Sequence, residues 1–266
     1  RAWVYFTPGV PSEFKKMAIE EILPRLTSQF DAAHALDCHR FYTFGLSESG
    51  IGQTLSTVSL PAGFEVGYRS SLPFIEVKLF TPRNAAQATS LQQLMIELLG
   101  DNVVSIGRDI VQHVGQQLVA TEQRLTVVEQ FTGGWLTNWL QDHSESRSTL
   151  EQGLMLLAEP APELGNDDSL KEAITIVSAA RDKAGVQLAL MSGAYYDEGV
   201  TVALSTPDGS WAQRVKAKRK YNHNALRSVV ATVMLDMLRR YLDGKPVIGQ
   251  YEFLVSEGDV FLPAER

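Results

Sequence analysis

The stretch from Leu125 to Trp139 places the tightest demand on the fold of this chain. An apolar, partly β-branched run, Leu125 to Val128, leads into the polar pair Glu129-Gln130, then Thr132-Gly133-Gly134, then a helix-like sequence. Strand, tight turn and helix in that order belong to a layered α/β protein, with turn and helix amides gathered at the carboxyl end of a strand. Such corners commonly bind anions, and two adjacent glycines let a ligand approach the backbone closely. A tight turn without a ligand explains the same residues, and on two glycines alone it is the better reading.

The rest of the chain narrows the class. At 266 residues it is long enough for two or three domains. Its 44% hydrophobic and 21% charged content is that of an ordinary globular protein. The apolar runs are too short to cross a bilayer, so no membrane partner is expected. A net charge of −7 argues against a general nucleic-acid binder. One cysteine allows no intramolecular disulfide framework, which points to a cytoplasmic location. Ala2-Trp3-Val4-Tyr5-Phe6 reads as a buried strand that begins abruptly after Arg1, so the chain is expected to start inside a domain.

After that strand, Ser12 is placed to cap a helix carrying Phe14, Met17, Ile22, Leu23 and Leu26, which Pro24 should end or bend. Asp31 to Asp37 reads as a linker. Strand, helix, two strands, helix and strand then follow: Arg40 to Phe44, Ser47 to Val58, Phe64 to Arg69, Phe74 to Phe80, Ala85 to Leu99 and Val103 to Ile106. That β-α-β-β-α-β order is ferredoxin-like. Beyond Arg108 a helix through Ile110, Val114 and Leu118 leads into the Leu125 strand, and Gly153 to Ala158 is a short apolar run. Ser169 to Glu172 reads as a capping box for a helix to about Lys183. Strands are expected at Val186 to Met191, Val200 to Ser205 and Trp211 to Ala217, with Pro207-Asp208-Gly209 as a hairpin turn. Leu226 to Tyr241 keeps helical spacing until Gly244 and Pro246 stop it, and Tyr251 to Val255 is a possible extra strand.

The fold class is therefore α/β and α+β multidomain. Residues 1–36 would be the end of a first domain, 37–107 a ferredoxin-like middle domain, 108–246 an α/β layered domain, and 247–266 a tail.

Most chemistry-bearing residues have plain explanations. The five histidines are scattered, with no metal-ligand spacing. Cys38 and His39 are strand neighbours whose side chains point to opposite faces, so His39 is badly placed as a base for the thiol. Arg214, Lys216, Lys218 and Lys220 alternate and share a face, either to hold an anion or to discourage edge pairing. Arg227, near the start of the last helix, is a candidate for an anion site.

Three motifs add a resemblance. Thr7-Pro8-Gly9-Val10-Pro11-Ser12-Glu13 resembles a Pro-Gly-Val-Pro-Ser-Glu signature near the end of the first domain of the CinA (competence/damage-inducible) family. Phe44-Gly45-Leu46-Ser47-Glu48-Ser49 looks like the start of that family's middle domain. Glu129 to Gly134 resembles its Ala-Glu-Ser-Cys-Thr-Gly-Gly motif. Order and spacing fit from Arg1 to about Gly244. The resemblance implies a molybdopterin-binding-like first domain largely missing here, with a metal-dependent ADP-ribose pyrophosphatase activity. It also implies a C-terminal nicotinamide mononucleotide amidohydrolase domain, and a homodimer formed through that domain. No cofactor is expected in this chain, a divalent metal being needed only by the missing first domain.

Against that pattern the catalytic positions are degenerate. Gln130 stands where the family has its serine nucleophile, and Phe131 where it has cysteine. With Gly153 aligned to the family's glycine, Leu157 falls at the tyrosine and Pro162 at the lysine. What survives as a ligand frame is Glu129, Thr132, Gly133, Gly134, Ser192, Gly193 and Arg227. Ala194-Tyr195-Tyr196-Asp197 replaces small residues of a family loop, and its rings are candidates to fill the pocket. Three roles stay open. The preferred one is an inactive amidase homologue with a structural or ligand-binding role toward a pyridine nucleotide or other phosphate-bearing molecule. The others are an active nicotinamide mononucleotide amidase with a rearranged site, and an interaction or dimerisation module without a ligand.

Overall fold

The computed structural model describes residues 3–30, 35–157 and 166–264. Near its start, α1 (Pro11–Met17), a π-helical turn (Ala18–Ile22) and α2 (Leu23–Gln29) form one continuous helix. Pro24 lacks an N–H, and it follows directly on the widened π turn without ending the helix. Ser12 is not the cap: Pro11 opens the helix, Val10 holds the N-cap position, and no side chain caps it. Residues 3–6 form no strand, because no neighbouring strand pairs with them. Trp3, Val4 and Phe6 are exposed.

The β-α-β-β-α-β order forms as expected: β1 (Leu36–Thr43), α3 (Glu48–Leu55), β2 (Glu65–Ser71), β3 (Phe74–Pro82), α4 (Ala88–Leu99) and β4 (Val103–Ile106). The sheet runs β2-β3-β1-β4, antiparallel throughout. Phe41, Val77 and Leu79 alternate onto one face and bury against Ile51, Leu55, Leu91 and Met95 of the two helices. Ser47 caps α3, its Oγ accepting from Gly50 N at 3.1 Å.

The C-terminal unit begins with α5 (Ile110–Ala120) and β5 (Leu125–Glu129), a strand buried along its whole length. Then come α6 (Trp135–Gln141), α7 (Ser144–Thr149), β6 (Leu150–Met155), α8 (Asn166–Ala184), β7 (Leu188–Tyr196), β8 (Gly199–Thr206), β9 (Gly209–Ala217), α9 (His223–Leu242) and β10 (Leu254–Pro263). The sheet order is β10-β9-β8-β7-β5-β6. Strand β5 is parallel to β6 and β7, and the remaining pairs are antiparallel. Helices α9, α5 and α6 cover one face, where Val127, Leu190, Val200, Val202 and Leu204 meet Val233, Met234 and Met237. Helix α8 covers the other, over Val128, Ala189, Met191, Ala203 and Ala212. With both faces covered, β8 is buried at every residue.

Three expectations for this unit change. Residues 247–266 were expected as a tail, but β10 pairs with β9 from Leu254 to Pro263 and completes the sheet. Tyr251 lies outside that strand, buried in the core. Ser169 lies inside α8 and not at its start, and its Oγ pairs with Thr201 Oγ1 at 3.1 Å. Ala194, Tyr195 and Tyr196 belong to β7, not to a loop. The turn that follows is Asp197-Glu198, both residues at positive φ, the twist that a two-residue hairpin favours.

The two units share apolar and polar contacts. Phe44 sits in the C-terminal core, its ring 4.9 Å from Tyr251 and 5.4 Å from Phe253. Buried Asp236 binds Arg239 at 2.7 Å and Arg240 at 2.8 Å, and accepts from Tyr251 Oη at 3.0 Å. Arg239 donates onward to the Asp101 carbonyl of the middle unit at 3.0 Å. Among the described residues no helix is long and apolar enough to cross a membrane.

Candidate functional site

The double-glycine turn works as the sequence suggests, with one reassignment. Gly133 and Gly134 have φ of +58° and +87°, a left-handed geometry that glycine adopts without strain. The turn reverses the chain so that α6 starts at Trp135. Glu129, at the end of β5, is fully buried, and its carboxylate turns back onto α6. It accepts from Leu136 N at 3.0 Å, Thr137 N at 2.7 Å and Thr137 Oγ1 at 2.6 Å. Those first-turn amides, which would otherwise face a ligand, are satisfied from within. The amides of Gly133 and Gly134 have no partner in the described chain.

An open cleft of about 550 Å³ lies beside these glycines. One wall is Thr132, Gly133, Gly134 and the face of α6 formed by Trp135, Asn138, Trp139 and Asp142, with Arg227 and Ser228 of α9. The other wall comes from the middle unit, Ser71 to Phe74, the turn joining β2 to β3. Arg227 donates from Nε to the Phe131 carbonyl at 3.1 Å, which holds its guanidinium over the turn. A Cβ added at Gly133 would lie 3.7 Å from Arg227 Nη2. Among the described residues, no lysine or histidine lines the cleft.

The predicted ligand frame therefore divides. Thr132, Gly133, Gly134 and Arg227 line the cleft, whereas Glu129, Ser192 and Gly193 lie behind it. Ser192 is fully buried and pairs with Thr132 Oγ1 at 2.6 Å, and the Gly193 carbonyl accepts from Phe131 N at 3.1 Å. Gln130 is half-buried, donates its N–H to the Ser192 carbonyl and does not line the cleft. Leu157 is 89% exposed, and Pro162 lies outside the described residues. The rings of Tyr195 and Tyr196 do not fill the cleft. Tyr195 stacks instead on Phe131, centroids 5.1 Å apart, on the side toward His223.

Arg214 and Lys216 share a face as their alternation requires, but it is not that of the cleft. Arg214 is buried in an ion pair with Glu257 at 2.9 Å and also donates to the Tyr196 carbonyl. Lys216 pairs with Glu198 at 3.0 Å. Among the described residues, no three His, Cys, Asp or Glu side chains gather closely enough to hold a metal ion. Sequence reading did not find the α6 face or the turn between β2 and β3. The former has a signal, since 135, 138, 139 and 142 fall on one helical stripe while Leu136 and Leu140 face the core.

No protein-family model matches the chain. A CinA-like protein of Escherichia coli O17:K52:H18 is 36% identical over 258 residues, covering 96% of this chain and 61% of the relative. The NMN amidohydrolase-like protein YfaY of E. coli K12 is also 36% identical over 258 residues, covering 96% of this chain and 62% of its own. The chain thus spans about six-tenths of the length of these relatives. Among solved structures, a CinA superfamily protein from Enterobacter cloacae aligns with 50% of this chain and 92% of its own at 17% identity, with a TM-score of 0.42. That likeness is too loose to add to the sequence match. On this sequence match, 36% identity over 96% of its length, the chain is similar to CinA-like proteins.

Proposed function

We propose that the C-terminal unit binds a pyridine mononucleotide without hydrolysing its amide. The observation that carries this reading is the make-up of the cleft. Two unpaired glycine amides and the Arg227 guanidinium sit at one end, a ready place for a phosphate. Among the described residues, no lysine or histidine stands beside a hydroxyl there to activate it. Thr132, the hydroxyl nearest the glycines in sequence, is buried and engaged by Ser192. Gln130, at the family's nucleophile position, offers a carboxamide that cannot form an acyl-enzyme, a loss on the order of 10⁶ in rate by analogy with serine hydrolases. The pyridine-nucleotide link draws support from the printed name of YfaY.

The test is calorimetric titration of the whole chain with nicotinamide mononucleotide, alongside an ammonia-release assay. Binding tighter than about 1 mM, roughly 4 kcal/mol, is expected, with no ammonia produced. Arg227→Ala should weaken binding about tenfold or more, the loss of one charge-assisted contact. Steady ammonia release abolished by Gln130→Ala would establish an active amidase instead. An absence of binding would leave an interaction module.

A further inference from the structure

Between β9 and α9 the charge balance of the chain reverses. From Gly209 to Leu235 there is no acidic residue, in a protein whose net charge is −7. Arg214 and Lys216, on the strand, are matched by Glu257 and Glu198. Lys218, Arg219 and Lys220, which follow in the loop, are exposed and form no ion pair among the described residues. Glu48 and Glu252 share a groove with Lys218 and Arg219 but are engaged elsewhere. Glu48 accepts from Ser70 Oγ, and Glu252 accepts from Ser47 N at the N-cap of α3. Three neighbouring cations without partners repel one another, so the fold gains nothing from their grouping. Aromatic rings are interleaved with them. The Arg219 guanidinium lies over the Tyr221 ring, 4.9 Å from its centroid. Two residues on, the His223 ring lies 6.1 Å from that of Tyr195, which is 43% exposed. Helix α9, 20 residues long, begins at His223, and the positive end of its dipole adds to the field of the loop. None of these residues lines the cleft beside Gly133 and Gly134.

We infer that this surface binds single-stranded nucleic acid. Phosphates meet Lys218, Arg219 and Lys220, and unpaired bases stack on Tyr221 and Tyr195. A single strand suits the loop better than a duplex, whose bases are already stacked and closed to the rings. An acidic peptide satisfies the cations but leaves the rings unmatched. Phosphate contact and stacking are both tolerant of sequence, so little base preference is expected. The net charge of −7 repels a strand from the rest of the surface, which limits binding to the loop and makes it sensitive to salt. The inference uses none of the residues on which the mononucleotide reading rests.

The test is fluorescence anisotropy of a labelled oligothymidylate of about 12 nucleotides titrated with the whole chain. A dissociation constant of about 1 to 100 μM is expected at about 50 mM salt, weakening as salt rises with a log–log slope of roughly 2, the release of counterions from about three phosphates. Lys218→Gln, Arg219→Gln and Lys220→Gln combined should weaken binding about tenfold or more and remove most of that slope. Tyr221→Ala should weaken binding about tenfold, while Tyr221→Phe, which keeps the ring, restores it. Urea midpoints equal to that of the wild type check that these loop variants are folded. Unlabelled oligouridylate should displace the probe as well as oligothymidylate does, and poly-glutamate of equal charge should need about tenfold more. Equal displacement by poly-glutamate, equally tight binding of a duplex, binding untouched by the triple substitution, or no binding at about 50 mM salt would each overturn the inference.

Discussion

Glu129 and Arg227 show how differently single residues declare themselves. A polar residue at the end of a buried strand is legible in the sequence, but the direction of its carboxylate is not. Glu129 serves α6, bridging two amides and a hydroxyl from a fully buried position. Replacing it with glutamine puts an N–H₂ among donors, so Glu129→Gln should destabilise the protein by about 3 kcal/mol in urea unfolding. Arg227 reaches the turn across 96 positions of sequence, a meeting that no local pattern encodes. His113 belongs to the same scale. Burial is the main cause holding it below its ordinary 6.5, Asp243 opposing and Arg239 and Arg108 adding to the effect. The unfolded chain takes up this proton near 6.5 and the folded one only at lower pH. Between those values the unfolded state binds more protons, so stability is full above about 6.5 and falls as the pH drops toward the folded value. Urea midpoints at about pH 7.5 and 5.5 should therefore differ less in His113→Asn than in the wild type.

At the scale of elements, periodicity placed most helices and strands, and it failed where a local signal had two meanings. Ser169 with Glu172 imitates a capping box, yet α8 starts earlier, with Asp167 and Asp168 in its first turn. Serine and acid do suit a helix start, and acids suit the positive end of the dipole equally well. The β7 extension through Tyr196 was hidden because Ser192-Gly193 reads as a turn. In fact the register shifts between Ser192 and Tyr195, and the strand continues beyond the irregularity. The turn Ser71 to Phe74 reads only as a connector, and its place in the cleft depends on docking against a distant α6. If a ligand bridges the two walls, hydrogen exchange at residues 71–74 should slow on adding nicotinamide mononucleotide. Unchanged exchange in a saturated sample would place the ligand against the α6 wall alone.

For the whole molecule, the two sheets were legible as two units, but their boundaries were not energetic ones. Phe44 and Val104 of the middle unit lie in the core built around α9, and Arg239 ties α9 to the Asp101 carbonyl. The sequence beyond Gly244 looks like a tail because its helix has ended, whereas β10 closes the larger sheet and Tyr251 and Leu254 are buried. Ending the chain after Pro246 would strip β9 of its neighbour and leave Asp236 without the Tyr251 hydroxyl. Such a truncation should lose cooperative unfolding, judged by calorimetry, since it removes a full strand and part of a shared core. A chain that still unfolds in a single sharp transition after that cut would show β10 to be dispensable.

The pairing of β10 along β9 also fixes where a handle can be put. Ala264 donates its N–H to the Asp208 carbonyl at 3.2 Å, and the Asp208 side chain accepts from the Tyr241 hydroxyl at 2.7 Å, in the last turn of α9. Arg227 stands in the first turns of that helix, roughly 20 Å away at about 1.5 Å per residue. A dye or a sensor-chip linkage at position 264 is thus held near the far end of α9 from Arg227, which lines the cleft. Molecules anchored there would keep the attachment away from Arg227 and the residues beside it, which suits the chain to immobilised ligand screening.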